Sequence, residues 1–118
     1  VTKGEISATI SANTTYSVQL SANQTSLTNS QTSDEPTPTN SIPASSNVTP
    51  KTNAWGILNQ DNSTYSAITT APTEYYNTEE YNTESQSTKH TFGIGVSISP
   101  TLPAGEYSTT VTITAVNN

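Results

Sequence analysis

The chain has 118 residues, a length that suits one domain with a single packed core. Only 10% of the residues are charged and 30% are hydrophobic, whereas soluble domains usually have about 25% and about 45–50%. With three Lys, no Arg and a formal net charge of −6, the chain would repel nucleic acid. No stretch approaches the roughly 20 apolar residues of a membrane helix, so we expect no membrane insertion.

The residue types on which most enzymes depend are scarce. There is no Cys, which excludes disulfide scaffolds, thiolate nucleophiles and Cys-based zinc sites. The single His, His90, has no neighbouring cluster of ligands, so we expect an ordinary residue at a strand edge. The sequence therefore predicts no enzyme, no catalytic residue, no metal and no cofactor.

The N-terminal part of the chain predicts two short strands. Ile6, Ala8 and Ile10 alternate with polar residues, Asn13 gives a break, and a second alternating run includes Leu20. Because the chain starts at a Val rather than an initiator Met, we expect a processed mature chain or an excised domain.

Two segments lack a strand pattern and are predicted to be long surface excursions. Residues 28–52 contain four Pro and only two large apolar residues, Ile42 and Val48. Residues 73–89 are acidic and rich in Tyr, with the sequence Tyr-Asn-Thr-Glu occurring twice. Between the excursions, short strands are predicted near 55–58 and 65–68, separated by a turn at 59–62.

The C-terminal part has the clearest alternation. Residues 90–99 place Phe92 and three β-branched residues on one face, and after a turn at 102–105 a last alternating run occupies 107–115. These two strands form either a hairpin or a corner between two sheets. Six short strands and no helical repeat predict an all-β protein, an antiparallel β-sandwich in which residues 1–118 form one domain.

One segment carries a resemblance to a known group of proteins. The turn Leu-Pro-Ala-Gly-Glu-Tyr at 102–107 leads into a Thr/Val-alternating strand, and it is preceded by Phe-Gly-Ile-Gly-Val at 92–96 and Trp-Gly at 55–56. This pattern resembles the closing half of bacterial and archaeal extracellular immunoglobulin-like surface modules of pilin and adhesin type. The resemblance implies an immunoglobulin-like sandwich, an extracellular or cell-surface location and a structural role.

The expected function is therefore that of a non-enzymatic structural or adhesive module, either a subunit of a pilus-like filament or a stalk domain. Its partners would be copies of itself or neighbouring modules, joined by strand addition. The candidate donor strand is 1–10, with Ile6, Ala8 and Ile10 facing the acceptor. If the chain closes its own sandwich instead, 1–10 is simply its first strand.

Two features of the sequence relate to carbohydrate. N-glycosylation motifs occur at four positions, Asn13, Asn23, Asn47 and Asn62. The alternative function is a carbohydrate-binding module whose surface aromatic residues, Trp55, Tyr76 and Tyr81, stack on a host or cell-surface glycan. A single Trp in a small sandwich can instead fill the core.

The chain ends also hold the residue types of an intramolecular isopeptide bond. Such a bond would join Lys3 to Asn117 or Asn118, with Glu5 as the polarising acid. This pairing is similar to that in Gram-positive pilins. Exposure at the chain ends would instead keep the Lys charged and unreactive.

Overall fold

A computed structural model describes residues 1–29, 35–37, 39–77 and 86–117, and within these ranges the protein is all-β with seven strands and no helix. Side chains are described for the same residues except 76, 77 and 86. The strands are β1 (Thr2–Ala12), β2 (Tyr16–Ala22), β3 (Ala54–Leu58), β4 (Tyr65–Ser66), β5 (Thr73–Asn77), β6 (Gln86–Ser97) and β7 (Val111–Asn117).

The strands form two antiparallel sheets in a sandwich-like arrangement. One sheet has four strands in the order β1-β6-β3-β4, and the other has three in the order β5-β2-β7. The all-β prediction is confirmed, as is the presence of two sheets. No helix among the described residues is long and apolar enough to cross a membrane.

The core lies between the sheets and is built by alternate residues of the central strands. From β2 it receives Val18 and Leu20, which are fully buried, and from β3 it receives Trp55 and Ile57. The remaining buried apolar side chains are Tyr16, Ala22, Ile42, Ala54, Ile68 and Phe92. Period-two alternation is what allows each strand to bury one face and expose the other.

The connection between β6 and β7 decides between the two arrangements predicted for the C-terminal strands, a hairpin or a corner between two sheets. Because β6 belongs to the four-stranded sheet and β7 to the three-stranded sheet, the chain turns a corner between sheets and does not form a hairpin. The last strand begins at Val111, whereas alternation predicted a start near Tyr107. Residues 107–110 contribute a single bridge, between Ser108 and Thr28.

The surface excursion predicted for 28–52 needs a correction. Ile42 is buried at 4% exposure, and the chain around it runs parallel to the start of β3, with a bridge between Ala44 and Trp55. This segment lies beside the first half of β3, and β4 pairs with the second half. An isolated Ile in a Pro-rich segment therefore marks a return of the chain to the core.

The excursion predicted for 73–89 is also wrong at both of its ends. Thr73–Asn77 is strand β5, and β6 begins at Gln86, four residues before the predicted start. The middle of this segment, 78–85, lies outside the described residues, and so does Tyr81. A sequence such as Thr-Glu-Tyr-Tyr-Asn has no alternating apolar face, so β5 gives no period-two signal.

Candidate functional site

The feature with the clearest functional potential is the edge strand β1. It pairs with β6 along all eleven of its residues, from Thr2 opposite Val96 to Ala12 opposite Gln86. Its inward residues Ile6, Ala8 and Ile10 are half-buried, and the residues between them are exposed. The three predicted donor residues therefore lie on one face, within the chain's own sheet.

The backbone hydrogen bonds of Trp55 show in which direction the N–H and C=O groups of the four-stranded sheet point. Its N–H donates to the carbonyl of Pro43 at 3.0 Å, and its carbonyl accepts from the N–H of Ser45 at 2.8 Å, so both groups face away from β6. Backbone groups alternate sides along a strand, so those of Gly56 face β6 and those of its partner Gly95 face β3.

The same alternation fixes the pairing of β6 with β1. Phe92 and His90 are an odd number of residues from Gly95, so their backbone groups face β1, where they form hydrogen-bonded pairs with Ile6 and Ala8. Ser11 and Ser87 form a pair of the other type, in which the Cα atoms approach to about 4.5 Å. Their Oγ atoms are 2.6 Å apart and exposed.

A polar contact between β6 and β2 joins the two sheets. His90 of β6 is 8% exposed, and its Nε2 lies 2.6 Å from the hydroxyl of Tyr16 on β2, with the two rings at 85° in an edge-to-face arrangement. Burial lowers the pKa of His90. The expectation that His90 is an ordinary strand-edge residue is wrong, because its side chain points inward between the two sheets and is buried there, while its backbone pairs with Ala8 of β1.

The outer face of the same sheet carries glycines that are covered by larger side chains. A side chain at Gly95 would collide with the ring of Tyr65, and one at Gly93 would come within 3.0 Å of Leu58. The alternation of Gly with Ile and Val at 92–96 is the sequence signal for such a close approach.

The four glycosylation candidates are all exposed and all lie in connections between strands. Asn13 follows β1, Asn23 follows β2, Asn47 precedes β3, and Asn62 occupies the β3–β4 turn with a φ of 60°. The Oδ1 atom of Asn23 accepts hydrogen bonds from Thr109 Oγ1 and the N–H of Thr110. Occupancy of these sites by glycan stays a prediction.

The predicted aromatic platform is not supported at Trp55. Its side chain is 2% exposed, and its indole N–H donates to the carbonyl of Thr25 at 2.9 Å. A sugar ring has no access to a buried indole face, so the stacking prediction for Trp55 is wrong and the alternative of a core residue is correct. The side chain of Tyr76 and the whole of Tyr81 lie outside the described residues.

The residues of the predicted isopeptide bond are far apart. Lys3 is exposed near the start of β1. Asn117 lies near the opposite end of β1, where its Oδ1 accepts a hydrogen bond from Thr14, which follows the last residue of the strand. At 3.3 Å per residue, the strand between these ends spans about 30 Å. The bond between Lys3 and Asn117 is therefore excluded, and Asn118 lies outside the described residues.

The β3–β4 turn is organised by a carboxylate. Asp61 accepts hydrogen bonds from the hydroxyl of Thr64 at 2.6 Å and from the backbone N–H groups of Ser63 and Thr64, both at 2.9 Å. These bonds, the hydroxyl of Thr64 first, lower the pKa of Asp61 to about 2. The carboxylate therefore stabilises the turn and has no unusual basicity.

Comparison of the chain with protein-family models, with curated proteins and with solved structures gives no match.

Proposed function

We propose that this chain is a non-enzymatic, extracellular structural or adhesive module of a cell surface, and that it joins copies of itself by exchange of β1. It acts as a subunit of a pilus-like filament or as a stalk domain. The observation that carries the proposal is the position of β1. An eleven-residue strand that pairs only with β6 among the described elements can be replaced by the same strand of a neighbouring copy.

The energetics of exchange favour β1 over the other strands. Transfer of β1 to a neighbour re-forms the same ladder with the neighbour's β6 and buries Ile6, Ala8 and Ile10 again. Only the short connection 13–15 must change its path, because β2 begins at Tyr16. Closed and exchanged forms therefore contain nearly the same contacts, and concentration decides between them.

We further propose that the sandwich is a variant of the immunoglobulin fold. In a constant-type domain, strands A, B, E and D form one sheet, and C, F and G form the other. If β1–β7 are matched to A–G in chain order, the pairs β2–β5 and β3–β6 correspond to B–E and C–F. Three strands depart from that order: β1 lies beside β6, where G would be, β7 lies beside β2, where A would be, and β4 lies beside β3 rather than beside β5, where D would be.

A second feature supports this relationship. The hydroxyl of Tyr107 donates to the carbonyl of Pro103, four residues upstream, at 2.6 Å. Tyr corners of this kind close the turns between the sheets of immunoglobulin-like sandwiches. Here the corner precedes β7, and the turn includes Gly105, whose φ of 149° favours glycine.

The double variant Ser11→Cys/Ser87→Cys tests strand exchange directly. The two Oγ atoms are already 2.6 Å apart, and the Cα spacing of this pair type, about 4.5 Å, falls within the disulfide range. After assembly and oxidation, exchange predicts covalent multimers on a non-reducing gel, because each disulfide joins two chains. The single variant Ser87→Cys is the control and can form no more than a dimer.

Electron microscopy and intact mass of the natively isolated protein complete the test. The proposal expects regular filaments of the unaltered protein, and covalent multimers of the double-Cys variant that disappear on reduction. Monodisperse particles of the unaltered protein, together with a disulfide within one chain of the double-Cys variant, would contradict the exchange of β1. The same mass spectrum reports glycan on Asn13, Asn23, Asn47 or Asn62 as an increase over the polypeptide mass.

The alternative function as a carbohydrate-binding module predicts saturable glycan binding that Tyr76→Ala or Tyr81→Ala removes without unfolding.

A further inference from the structure

A cleft of about 450 Å³ lies along β6 on the side away from β1. One wall is formed by six consecutive residues, 88–93, all from β6. The opposite walls come from Leu58 and the turn residues Asn59, Gln60 and Asn62, and from Tyr75 of the other sheet.

The composition of the first wall shows that the cleft borders an edge of the strand and not one of its faces. Successive side chains of a strand point to opposite faces, so a cavity on one face contacts every second residue. Here Lys89 and Thr91 of the outer face line the same cavity as His90 and Phe92 of the inner face. Only a space beside the backbone itself meets both sets.

The edge is open because β3 ends early. The ladder between β3 and β6 stops at Ile57 opposite Ile94, and beyond it the chain turns toward the other sheet, where Gln60 Nε2 donates to the carbonyl of Tyr75 at 3.4 Å. Within the part of the chain that the structure describes, no strand is paired with residues 88–92 on this side.

Because backbone N–H and C=O groups alternate sides along β6, the residues whose groups face the cleft can be identified. Gly95 faces β3, so Thr91 and Lys89, at even spacings from it, present their N–H and C=O groups to the same side. His90 and Phe92 between them face β1 and are paired there. The N–H and C=O groups of Lys89 and Thr91 therefore face the cleft in the spacing of a β-ladder.

We propose that this cleft, defined by residues 88–93 and by Leu58, Asn59, Gln60, Asn62 and Tyr75, binds one extended polypeptide segment of a partner as an added strand beside β6. An added strand pairs with the N–H and C=O groups of Lys89 and Thr91 and places alternate side chains against Tyr75 and Leu58. Asn59, Gln60, Asn62 and Tyr75 bound the cleft opposite β6, which favours a single extended segment as the occupant over the edge of another folded sheet.

The charge of the cleft favours an acidic partner segment. Lys89 is exposed and is the only Lys, Asp or Glu in the described lining of the cleft, in a chain with a net charge of −6. A bound segment that places a carboxylate beside the Lys89 ammonium group gains a favourable contact, and a basic segment does not. This site is independent of strand exchange, because β1 occupies the opposite edge of β6.

Amide hydrogen exchange on the full chain tests the open edge first. The amides of His90 and Phe92 are expected to exchange slowly because they bond to β1, and those of Lys89 and Thr91 are expected to exchange quickly. If Lys89 and Thr91 are as protected as their neighbours in the free chain, the edge is already occupied and the proposal is wrong.

Titration with the capped peptide acetyl-Thr-Val-Thr-Glu-Thr-Val-amide then tests binding. Binding at the cleft slows exchange at Lys89 and Thr91 and leaves His90 and Phe92 unchanged. The same peptide with Lys in place of its Glu is expected to bind more weakly, as is the original peptide with Lys89→Glu, by about two- to fivefold. Absence of binding, or protection that appears elsewhere, overturns the proposal.

Two substitutions at Thr91 separate the backbone from the side chain. Thr91→Pro removes an N–H that faces the cleft and leaves the bonds of His90 and Phe92 to β1, so peptide affinity is expected to fall about two- to tenfold. Thr91→Ala keeps the N–H and is expected to bind normally. Equal binding by both variants contradicts strand addition. If Thr91→Pro does not fold, Lys89→Glu, an exposed charge reversal, decides alone.

Discussion

Strands β1 and β2 share the same alternation of apolar and polar residues, yet they differ in partners and burial. β2 lies between β5 and β7, and its inward residues Val18 and Leu20 are fully buried. Among the described strands β1 has β6 as its one neighbour, and Ile6 and Ile10 are only half-buried. The alternation therefore specifies a strand, whereas position in the sheet determines whether that strand is a fixed part of the core or an exchangeable edge.

The largest difference is expected from truncation of the two inward faces. Leu20→Ala removes a fully buried side chain and should lower the free energy of unfolding by about 2–5 kcal/mol. Ile6→Ala removes a half-buried side chain at an edge and should cost about 1–2 kcal/mol. Denaturant unfolding of both variants measures the two costs, and equal costs would mean that β1 is as firmly held as β2.

Glycine substitution extends the comparison to the two strands of the β1–β6 pair. Gly95→Ala should cost about 1–3 kcal/mol, because the new methyl group collides with the ring of Tyr65. Gly4→Ala is the matched change on β1, where no atom lies within 4 Å of the new methyl group. It should be neutral or stabilise by up to about 1 kcal/mol through reduced chain entropy. Combining Gly95→Ala with Tyr65→Ala should recover part of the loss.

Burial of His90 makes the stability of the sandwich depend on pH. Because burial lowers the pKa of His90 in the folded chain, the unfolded chain takes up the proton first as the pH falls below about 6.5. Stability from this residue is therefore complete above pH 6.5 and decreases as the pH falls toward the lower pKa of the folded chain. Unfolding midpoints at pH 7.5 and 5.5 should differ for the unaltered chain and differ less for His90→Gln.

The smallest expected effect lies in the β3–β4 turn. Asp61 has a pKa of about 2, so its contribution to stability is complete above the ordinary value of 3.8 and decreases as the pH falls toward 2. Thr64→Val removes the hydroxyl that contributes most to this shift, and the pKa of Asp61 should rise toward 3.8. An NMR titration of the carboxyl group checks this, and an unchanged pKa would show that the backbone N–H groups suffice.

The strands that could be predicted from the sequence are those with one apolar face. β1, β2, β3 and the second half of β6 follow from alternating apolar residues, and the corner before β7 was one of two predicted arrangements. β5 could not be predicted, because its Tyr residues are adjacent and its neighbours are polar. The contacts that bury Ile42 and His90 could not be predicted either, since each involves a distant part of the chain, Leu27 for Ile42 and Tyr16 of β2 for His90.

The pairing of the strands was the main feature that could not be predicted from the sequence. The pattern at Ile6, Ala8 and Ile10 predicts an inward face, but it does not indicate that the partner is β6, about 80 residues away, rather than β2. The open edge beside Lys89 has the same origin, because it exists only where β3 diverges from β6. Sites formed by strand order, and not by residue type, leave no motif.

Native-state hydrogen exchange of β1 and β2 is the most direct test of the central claim, that β1 is the exchangeable strand of this fold. We expect the amides of Ile6 and Ala8, which bond to β6, to exchange through a local opening with a free energy well below that of global unfolding. The amides of Val18 and Leu20 should exchange only when the whole sandwich unfolds. If all four amides exchange with the same free energy, β1 is an integral part of the core and strand exchange is contradicted.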